Sequence, residues 1–323
     1  MEHIIYEAAA EKIRALRHEV AKEFIAQDAL VENALITLIT GGHILVEGVP
    51  GLGKTLLVRC LARVIGGASA RLQFTPDLMP SDITGSIMLD ATPGKFITRR
   101  GPVFTNLFIA DEINRAPAKT QAALFEAMQE YQVSLDGTSL PLPRPFMVLA
   151  TENPFEHEGT YPLPDAQKDR FLMKLSASYP AMDEEIEMVE RVIAKGLGGA
   201  ELSVNAVNAV VTLEELTGIQ ELAASLRVDK AIIDYAVRLV SATRTSAAVQ
   251  NGAGPRGSLA LVRCARSRAL IEGRDFVLPD DIKALAIPVL AHRLTLSTGS
   301  ELEGLSEAAV IEMLVDKIEA PRI

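Results

Sequence analysis

The chain has 323 residues, of which 48% are hydrophobic and 23% are charged, which is ordinary for a globular protein long enough to form two domains. No apolar run approaches the roughly 18–20 residues of a membrane span, and the amphipathic N-terminal segment lacks the basic and apolar regions of a signal peptide. The formal net charge of −10 argues against a protein whose main function is nucleic-acid binding. A local basic channel formed in an oligomer is the alternative.

Helix and strand patterns alternate through the first half of the chain. Helical periodicity covers about 8–21 and 29–40, followed by a strand at 43–47 and a helix at 54–65. Further strands are predicted near 71–75, at 106–110, at 146–151 and at 170–177, with a helix at 118–130. Because the strands are nearly continuous apolar runs, they predict an α/β fold with a parallel sheet covered on both faces.

Two insertions interrupt this series, and a helical region follows it. Alternation at 81–100 indicates a β-hairpin or short ribbon, and the segment 132–142 contains Asp136-Gly137, a strong hairpin signal. Beyond 180 the patterns predict helices at 183–194, 213–226, 229–243, 258–272, 279–292 and 306–317, with a linker at 196–199. We expect a larger α/β domain at 1–200 and a smaller all-α domain at 201–323.

The strand at 43–47 and the helix at 54–65 flank a phosphate-binding loop pattern, G-x-x-x-x-G-K-[ST]. Its backbone N–H groups and the helix N-terminus favour phosphates, and the alternative interpretation is an ordinary glycine-rich turn. We expect Lys54 to reach the β- and γ-phosphates of ATP and the Thr55 hydroxyl to ligate Mg²⁺. The residues expected to hold the nucleotide here are Gly48, Val49, Pro50, Gly51, Leu52, Gly53, Lys54, Thr55 and Leu56.

Polar residues end two later strands of the predicted sheet. Asp111 and Glu112 follow the apolar run 107–110, and we expect Asp111 to hold Mg²⁺ and Glu112 to orient and deprotonate the attacking water. Asn153 ends the next core strand, where a ligand of an open parallel sheet would lie, and its amide could hold the water or the γ-phosphate. The alternatives are a strand that ends at solvent and ordinary Asn-Pro turn chemistry.

Other candidate chemistry is absent from the sequence. Cys60 and Cys264 lie in separate helical patterns and are typical of reduced thiols in a cytoplasmic protein. The five histidines show no metal-ligand spacing, and no Ser/His/Asp or Cys/His arrangement is legible.

The motifs together resemble an AAA+ ATPase, and more narrowly the MoxR family, over nearly the whole chain. The resemblance is carried by GGHILVEGVPGLGKT (41–55), FTPDLMPSDITGS (74–86), FIADEINRAPAKTQAALFEAMQE (108–130), VLATENP (148–154), GTYPLPDAQKDRF (159–171) and GPRGSLAL (254–261). It implies an AAA+ core, a helix-2 insert at about 81–100, a second hairpin at about 132–142 and an all-α lid. Magnesium-chelatase motor subunits and replicative MCM helicases share this broad clade.

The resemblance also implies roles for three arginines. Arg170 looks like an arginine finger that acts on the nucleotide of a neighbouring subunit, against the alternative of a surface arginine paired with a nearby aspartate. Arg256 looks like the sensor 2 arginine, which contacts phosphates from the lid, and Arg115 is a candidate for the subunit interface or the site. Ala26 stands where the family usually has a glycine near the adenine base, so the resemblance implies the base contacts less firmly. Gly254 stands where serine is common, and neither change removes a charged catalytic group.

The leading hypothesis is an Mg²⁺-dependent ATPase that assembles as a ring, expected to be a hexamer, and remodels a partner protein or helps to insert a metal or cofactor. The alternatives are an MCM-like DNA-translocating motor and an ATP-gated scaffold with little turnover. A client protein, or a partner that carries a von Willebrand factor A domain, is expected from the resemblance alone.

Overall fold

The computed structural model describes residues 2–25, 27–48, 52–89, 96–153, 160–177, 179–194 and 204–322. Two helices, α1 (Glu2–Ala21) and α2 (Asp28–Thr40), precede the first strand of the central sheet. The α/β half then contains β1 (Ile44–Glu47), α3 (Lys54–Val64), β2 (Ser69–Gln73), α4 (Pro80–Thr84), β3 (Gly85–Leu89), β4 (Phe96–Arg100), β5 (Leu107–Asp111), α5 (Ala118–Glu130), β6 (Gln132–Leu135), β7 (Thr138–Pro141), β8 (Met147–Glu152), α6 (Asp165–Lys168) and β9 (Met173–Ser176).

Five of these strands form a parallel sheet in the order β2-β5-β8-β1-β9. Alternate residues of the inner strands enter two separate cores, because successive side chains of a strand point to opposite faces. Ile44, Val46 and Ile109 join the core beneath α1, α2 and α3. Leu45 and Phe108 join the core beneath α5. The predicted α/β fold with both faces covered is therefore confirmed.

The predicted strand at 170–177 begins later in the structure, at Met173. The backbone N–H groups of Asp169, Arg170 and Phe171 donate to Asp165, Gln167 and Lys168, which continues the turn of α6. Leu172 then donates to the carbonyl of His43, just before β1. Arg170 is consequently held at the amino ends of the parallel strands.

Both predicted hairpins are present. β3 pairs with β4, and β6 pairs with β7, in each case antiparallel. Asp136 and Gly137 have φ values of 47° and 79°, the left-handed geometry that a tight two-residue hairpin turn requires. The turn expected around 91–94 lies outside the described residues.

The C-terminal part is mostly helical: α7 (Met182–Ala194), α8 (Leu213–Ser225), α9 (Lys230–Thr245), α10 (Pro255–Ile271), α11 (Pro279–Leu290), α12 (Thr298–Leu302) and α13 (Glu307–Lys317). The short strands β10 (Val249–Asn251) and β11 (Thr295–Leu296), which the sequence patterns did not indicate, pair beside these helices. The linker predicted at 196–199 lies outside the described residues, and the domain boundary at 200 stays a prediction. Within the described part of the chain, each helix is too short or too polar to cross a bilayer.

Candidate functional site

At two glycines of the segment between β1 and α3, an added side chain would collide with neighbouring residues. At Gly48 (φ 156°), a Cβ would lie 2.7 Å from the carbonyl oxygen of Ala177. At Gly53 (φ 74°), a Cβ would lie 3.1 Å from the ring of Phe24. Glycine is therefore the residue that both positions can accept. Val49, Pro50 and Gly51 lie outside the described residues.

Lys54 begins α3, and its side chain is buried over the loop. The ammonium group donates a hydrogen bond of 2.7 Å to the carbonyl of Gly48. Burial lowers the pKa of Lys54, against the opposing effect of the Asp111 and Glu112 carboxylates. The two acids therefore lie close enough to this cation to act on it, although they come from a different strand. Thr55, with Leu52 and Leu56, lines the same cleft.

Asp111 is the last residue of β5, and its carboxylate is fixed from two sides. Its Oδ1 accepts a hydrogen bond of 2.6 Å from the hydroxyl of Thr151 on β8. Its Oδ2 accepts bonds of 3.1 and 2.6 Å from Nε and Nη2 of Arg71 on β2. Charge-assisted bonds of this kind give the carboxylate a defined orientation at the carboxyl end of the sheet.

Glu112 has a φ of 54°, an uncommon left-handed conformation that turns the chain away from β5. Its backbone N–H donates to the Thr151 hydroxyl at 2.8 Å. Its carboxylate accepts bonds from Nε2 of Gln73 at 2.7 Å and from Nη1 of Arg115 at 3.1 Å. Strained backbone persists where neighbouring contacts hold it, and here Thr151 supplies such a contact.

The site residues that the sequence reasoning missed are Arg71, Gln73, Thr151 and Glu152. Arg71 and Gln73 lie two apart in β2 and share one face, and Gln73 pairs in register with Asp111. The alternation of two polar residues in the strand predicted near 71–75 was the available signal. It becomes informative only when β2 is known to lie beside β5.

The end of β8 completes the cleft. Glu152 and Asn153 line it beside Thr151, Lys54 and Asp111. Burial raises the pKa of the Glu152 carboxyl, a change that Lys174 and Lys168 oppose and Glu47 reinforces. The cleft has a volume of about 270 Å³ and is bordered by cationic, carboxylate, hydroxyl and amide groups.

This donor set fits a nucleotide with a divalent cation. The hydroxyl of Thr55 and the carboxylate of Asp111 are oxygen ligands of the kind that Mg²⁺ takes, and both line the cleft. The open backbone at Gly48 and Gly53, next to the start of α3, suits phosphate oxygens.

Arg170 and Arg256 lie elsewhere and are not among the described residues that line the cleft. The Arg170 guanidinium lies 5.5 Å from the ring centroid of Phe125, and no described carboxylate pairs with it. Arg256, at the start of α10, has its Nη1 3.8 Å from the carboxylate of Asp169, next to Arg170 in sequence. Asp169 also accepts a bond of 2.9 Å from the buried Arg293. The two arginines therefore lie near each other, at the amino ends of the strands, whereas the cleft lies at their carboxyl ends.

Comparisons with known proteins agree with this architecture. The family described as "ATPase family associated with various cellular activities (AAA)" matches residues 43–173, and the "AAA lid domain" matches 241–314. Chaperone MoxR1 of Mycobacterium tuberculosis is 43% identical, over 94% of this chain and 81% of that protein. Protein MoxR of Methylorubrum extorquens is 34% identical, over 88% of both. A crystal structure of a candidate ATPase from Cytophaga hutchinsonii superposes with a TM-score of 0.90 at 39% identity, covering 99% of this chain and 97% of that one. The chain belongs to the MoxR family of AAA+ ATPases.

Proposed function

We propose that this protein hydrolyses ATP with Mg²⁺ in a ring of identical subunits, taken to be a hexamer, and uses the hydrolysis to remodel a partner protein or to help insert a metal or cofactor. One observation carries the proposal. Lys54, Asp111 and Glu112 meet in one cleft, while Arg170 and Arg256 lie together at the opposite edge of the same sheet. A second subunit is needed to bring the two sets into one site.

Within one subunit, the loop amides and Lys54 bind the phosphates, and Thr55 and Asp111 hold the cation. A cation held there would offset the negative charge of the phosphates. Glu112 accepts a proton from the attacking water, a contribution of about 10²–10⁴ in rate for a well-placed general base. Gln73 and Arg115 hold its carboxylate, and Thr151 fixes its backbone. The Asn153 amide orients the water or the γ-phosphate from the neighbouring strand.

The neighbouring subunit supplies positive charge. Arg170 follows α6 and precedes β9, so it lies at the amino end of the strands, whereas the cleft lies at their carboxyl ends. A strand rises about 3.3 Å per residue, which separates the two ends of this sheet by more than 10 Å. We therefore assign Arg170 to the cleft of the next subunit, where its guanidinium stabilises charge that develops on the γ-phosphoryl group. Arg256 accompanies it, because both border Asp169.

The remodelling role is supported by the chaperone name of the mycobacterial relative. The formal net charge of −10 weighs against the alternative of a DNA-translocating motor. A partner protein that carries a von Willebrand factor A domain is part of the proposal through the family resemblance alone.

The test is the ATPase rate per subunit as a function of protein concentration. We expect the wild-type rate to rise with concentration and Arg170→Ala to lower the assembled rate by about 10³–10⁵, the usual effect of losing an arginine finger. Arg14→Ala, which removes an exposed arginine paired with Glu7, is the matched control and should leave the rate unchanged. A rate that is independent of concentration and insensitive to Arg170→Ala would refute the shared site. Strong stimulation by DNA at physiological salt would favour the motor instead.

A further inference from the structure

Helix α7 contacts the rest of the molecule through its polar side and turns an apolar stripe outward. Met182, Ile186, Val189 and Ile193 are between 47% and 82% exposed. Their spacing of four, three and four residues places them on one face of the helix. Arg191, on the other side, donates from Nη1 to the carbonyls of Ala21 and Lys22. The described residues leave the stripe uncovered, and a contiguous exposed apolar patch indicates an interaction surface.

Helix α7, which carries the stripe, lies beside the segments that flank the nucleotide cleft. Ala177, which precedes α7, lies against Gly48 of the phosphate-binding loop. Its backbone N–H donates a hydrogen bond of 2.7 Å to the carbonyl of Glu47. Near the C-terminal end of α7, Arg191 donates hydrogen bonds to the carbonyls of residues 21 and 22. Phe24 follows shortly after these residues, and its ring lies against Gly53 of the phosphate-binding loop. A neighbouring subunit that inserts Arg170 into this cleft must therefore lie against or beside α7.

The surface that accompanies Arg170 has complementary chemistry. On α10, the exposed Leu259 is flanked one turn away on either side by Arg256 and the exposed Arg263. Residues three and four apart share a face of a helix, so an apolar centre lies between two cations there. The α7 stripe is bordered instead by the exposed acids Asp183, Glu185 and Glu190.

We propose that the apolar stripe of α7 in one subunit docks on the Arg256–Leu259–Arg263 face of α10 in the next subunit of the ring. This inference rests on the proposed function, since it is Arg170 in trans that brings the α10 face to the cleft rim. The contact is head-to-tail, as a closed ring of identical subunits requires. Opposite charge at this contact also offsets the mutual repulsion of subunits that each carry a net charge of −10.

Assembly of the full chain is the first readout. Sedimentation with ATP and Mg²⁺ should show that Ile186→Ser combined with Val189→Ser raises the concentration for half assembly by about tenfold or more. Leu259→Ser should do the same. Ile233→Ser with Val237→Ser on α9 is the control, since those residues are 43% and 47% exposed and lie outside the proposed contact. If the α7 and α10 variants assemble like the wild type, the proposal is overturned. The α7 stripe would then serve contact with a different protein.

Crosslinking identifies the partner surface directly, because Cys60 and Cys264 are buried and the other positions carry no thiol. An Ile186→Cys chain and a Leu259→Cys chain, mixed and treated with a short bis-maleimide, should give a crosslinked dimer that neither chain gives alone. Crosslinking of Ile186→Cys with itself, or none in the mixture, overturns the proposal. Failure of this contact is distinguishable from failure of the proposed function, because dependence of hydrolysis on concentration and on Arg170 would survive the loss of the α7 contact.

Discussion

Thr151 forms hydrogen bonds with both acidic residues of the cleft, Asp111 and Glu112. Its hydroxyl donates to the Asp111 carboxylate and accepts from the Glu112 backbone, so one side chain on β8 fixes both. Gln73 and Arg115 then hold the Glu112 carboxylate from β2 and from the turn after β5. The acids are therefore positioned by three segments before any ligand binds, as preorganised catalysis requires.

At this scale we predict that Glu112→Gln keeps nucleotide binding but lowers hydrolysis by about 10²–10⁴. The amide cannot take a proton from water, whereas its shape preserves the contacts to Gln73 and Arg115. Single-turnover hydrolysis measures the chemical step, and a fluorescent nucleotide analogue measures binding. Glu126→Gln, on an exposed position of α5, is the control. Hydrolysis at the wild-type rate would remove Glu112 from the role of base.

Glu152 leads to a prediction on pH. Burial raises the pKa of this carboxyl above its ordinary value of 4.5, so the folded chain holds the proton more tightly than the unfolded chain. Stability is then lost as the pH rises from the ordinary pKa to the folded one, and the deficit stays constant above it. Glu152→Gln removes the titration, so its melting temperature should exceed that of the wild type more at about pH 8 than at about pH 4.5. Thermal unfolding at both pH values checks this, and an equal difference would contradict it.

Sequence reasoning reached the residues at strand ends and missed the side chains that support them. Lys54, Asp111, Glu112 and Asn153 follow predicted apolar strands, and parallel strands bring their carboxyl ends to one edge whatever their order. The contacts of Gln73 and Thr151 depend on β2 and β8 flanking β5, and strand order is not encoded in any local pattern. In the same way, no pattern in the chain shows that Arg256 lies beside Asp169.

Among the elements, α5 spans the predicted 118–130, whereas the start of β9 differs because tertiary contacts decide it. Pro117 precedes α5 and fixes its beginning through the local chain. The segment 169–171 looks strand-like alone, but its N–H groups complete the turn of α6. The carbonyls of Phe171 and Leu172 accept hydrogen bonds from Arg293, far away in sequence. β10 and β11 are equally non-local, since two short segments about 45 residues apart pair only once α10 and α11 are packed.

The start of α11 carries a buried ionic cluster with a clear stability prediction. Asp281 is 3% exposed and accepts bonds from both terminal nitrogens of Arg274 at 2.9 and 2.7 Å and from the Leu278 N–H at 2.8 Å. Asp281→Ala leaves that guanidinium without its carboxylate, and we expect a loss of about 3–5 kcal/mol of unfolding free energy.

Urea unfolding followed by circular dichroism measures this change. Asp280→Ala is the matched control, because the neighbouring carboxylate is 84% exposed and pairs with Lys283 at 3.4 Å on the surface. Its effect should stay within about 0.5 kcal/mol. Equal effects of the two substitutions would show that the cluster does not stabilise the helical part.

For the whole molecule, the proposed division of one site between two subunits predicts complementation. Lys54→Ala disables the subunit's own cleft, and Arg170→Ala disables the contribution to the next one. Each variant alone should be inactive. In a random equal mixture, an intact cleft meets an intact arginine in about one quarter of the sites, so about that fraction of activity should return in a head-to-tail ring.

The ATPase rate of the mixture after exchange of subunits is the measurement. A mixture of Lys54→Ala with Glu112→Gln is the control, since both changes damage the same cleft and no combination restores one. A Lys54→Ala and Arg170→Ala mixture that is no more active than its components would place both residues in one subunit.

The edge strand β9 connects Arg170 to the phosphate-binding loop of the same subunit. Arg170 lies just before it, and Ala177, against which Gly48 packs without a Cβ, lies just after it. If Arg170 binds the neighbour's phosphates as proposed, a change in that nucleotide acts on one end of a strand whose other end lies against the subunit's own Gly48. In such a ring we expect nucleotide binding in adjacent clefts to be coupled, and this coupling free energy would be reciprocal. Because this strand would point the same way in every subunit of the proposed head-to-tail ring, we expect cooperative hydrolysis to travel around that ring in one direction.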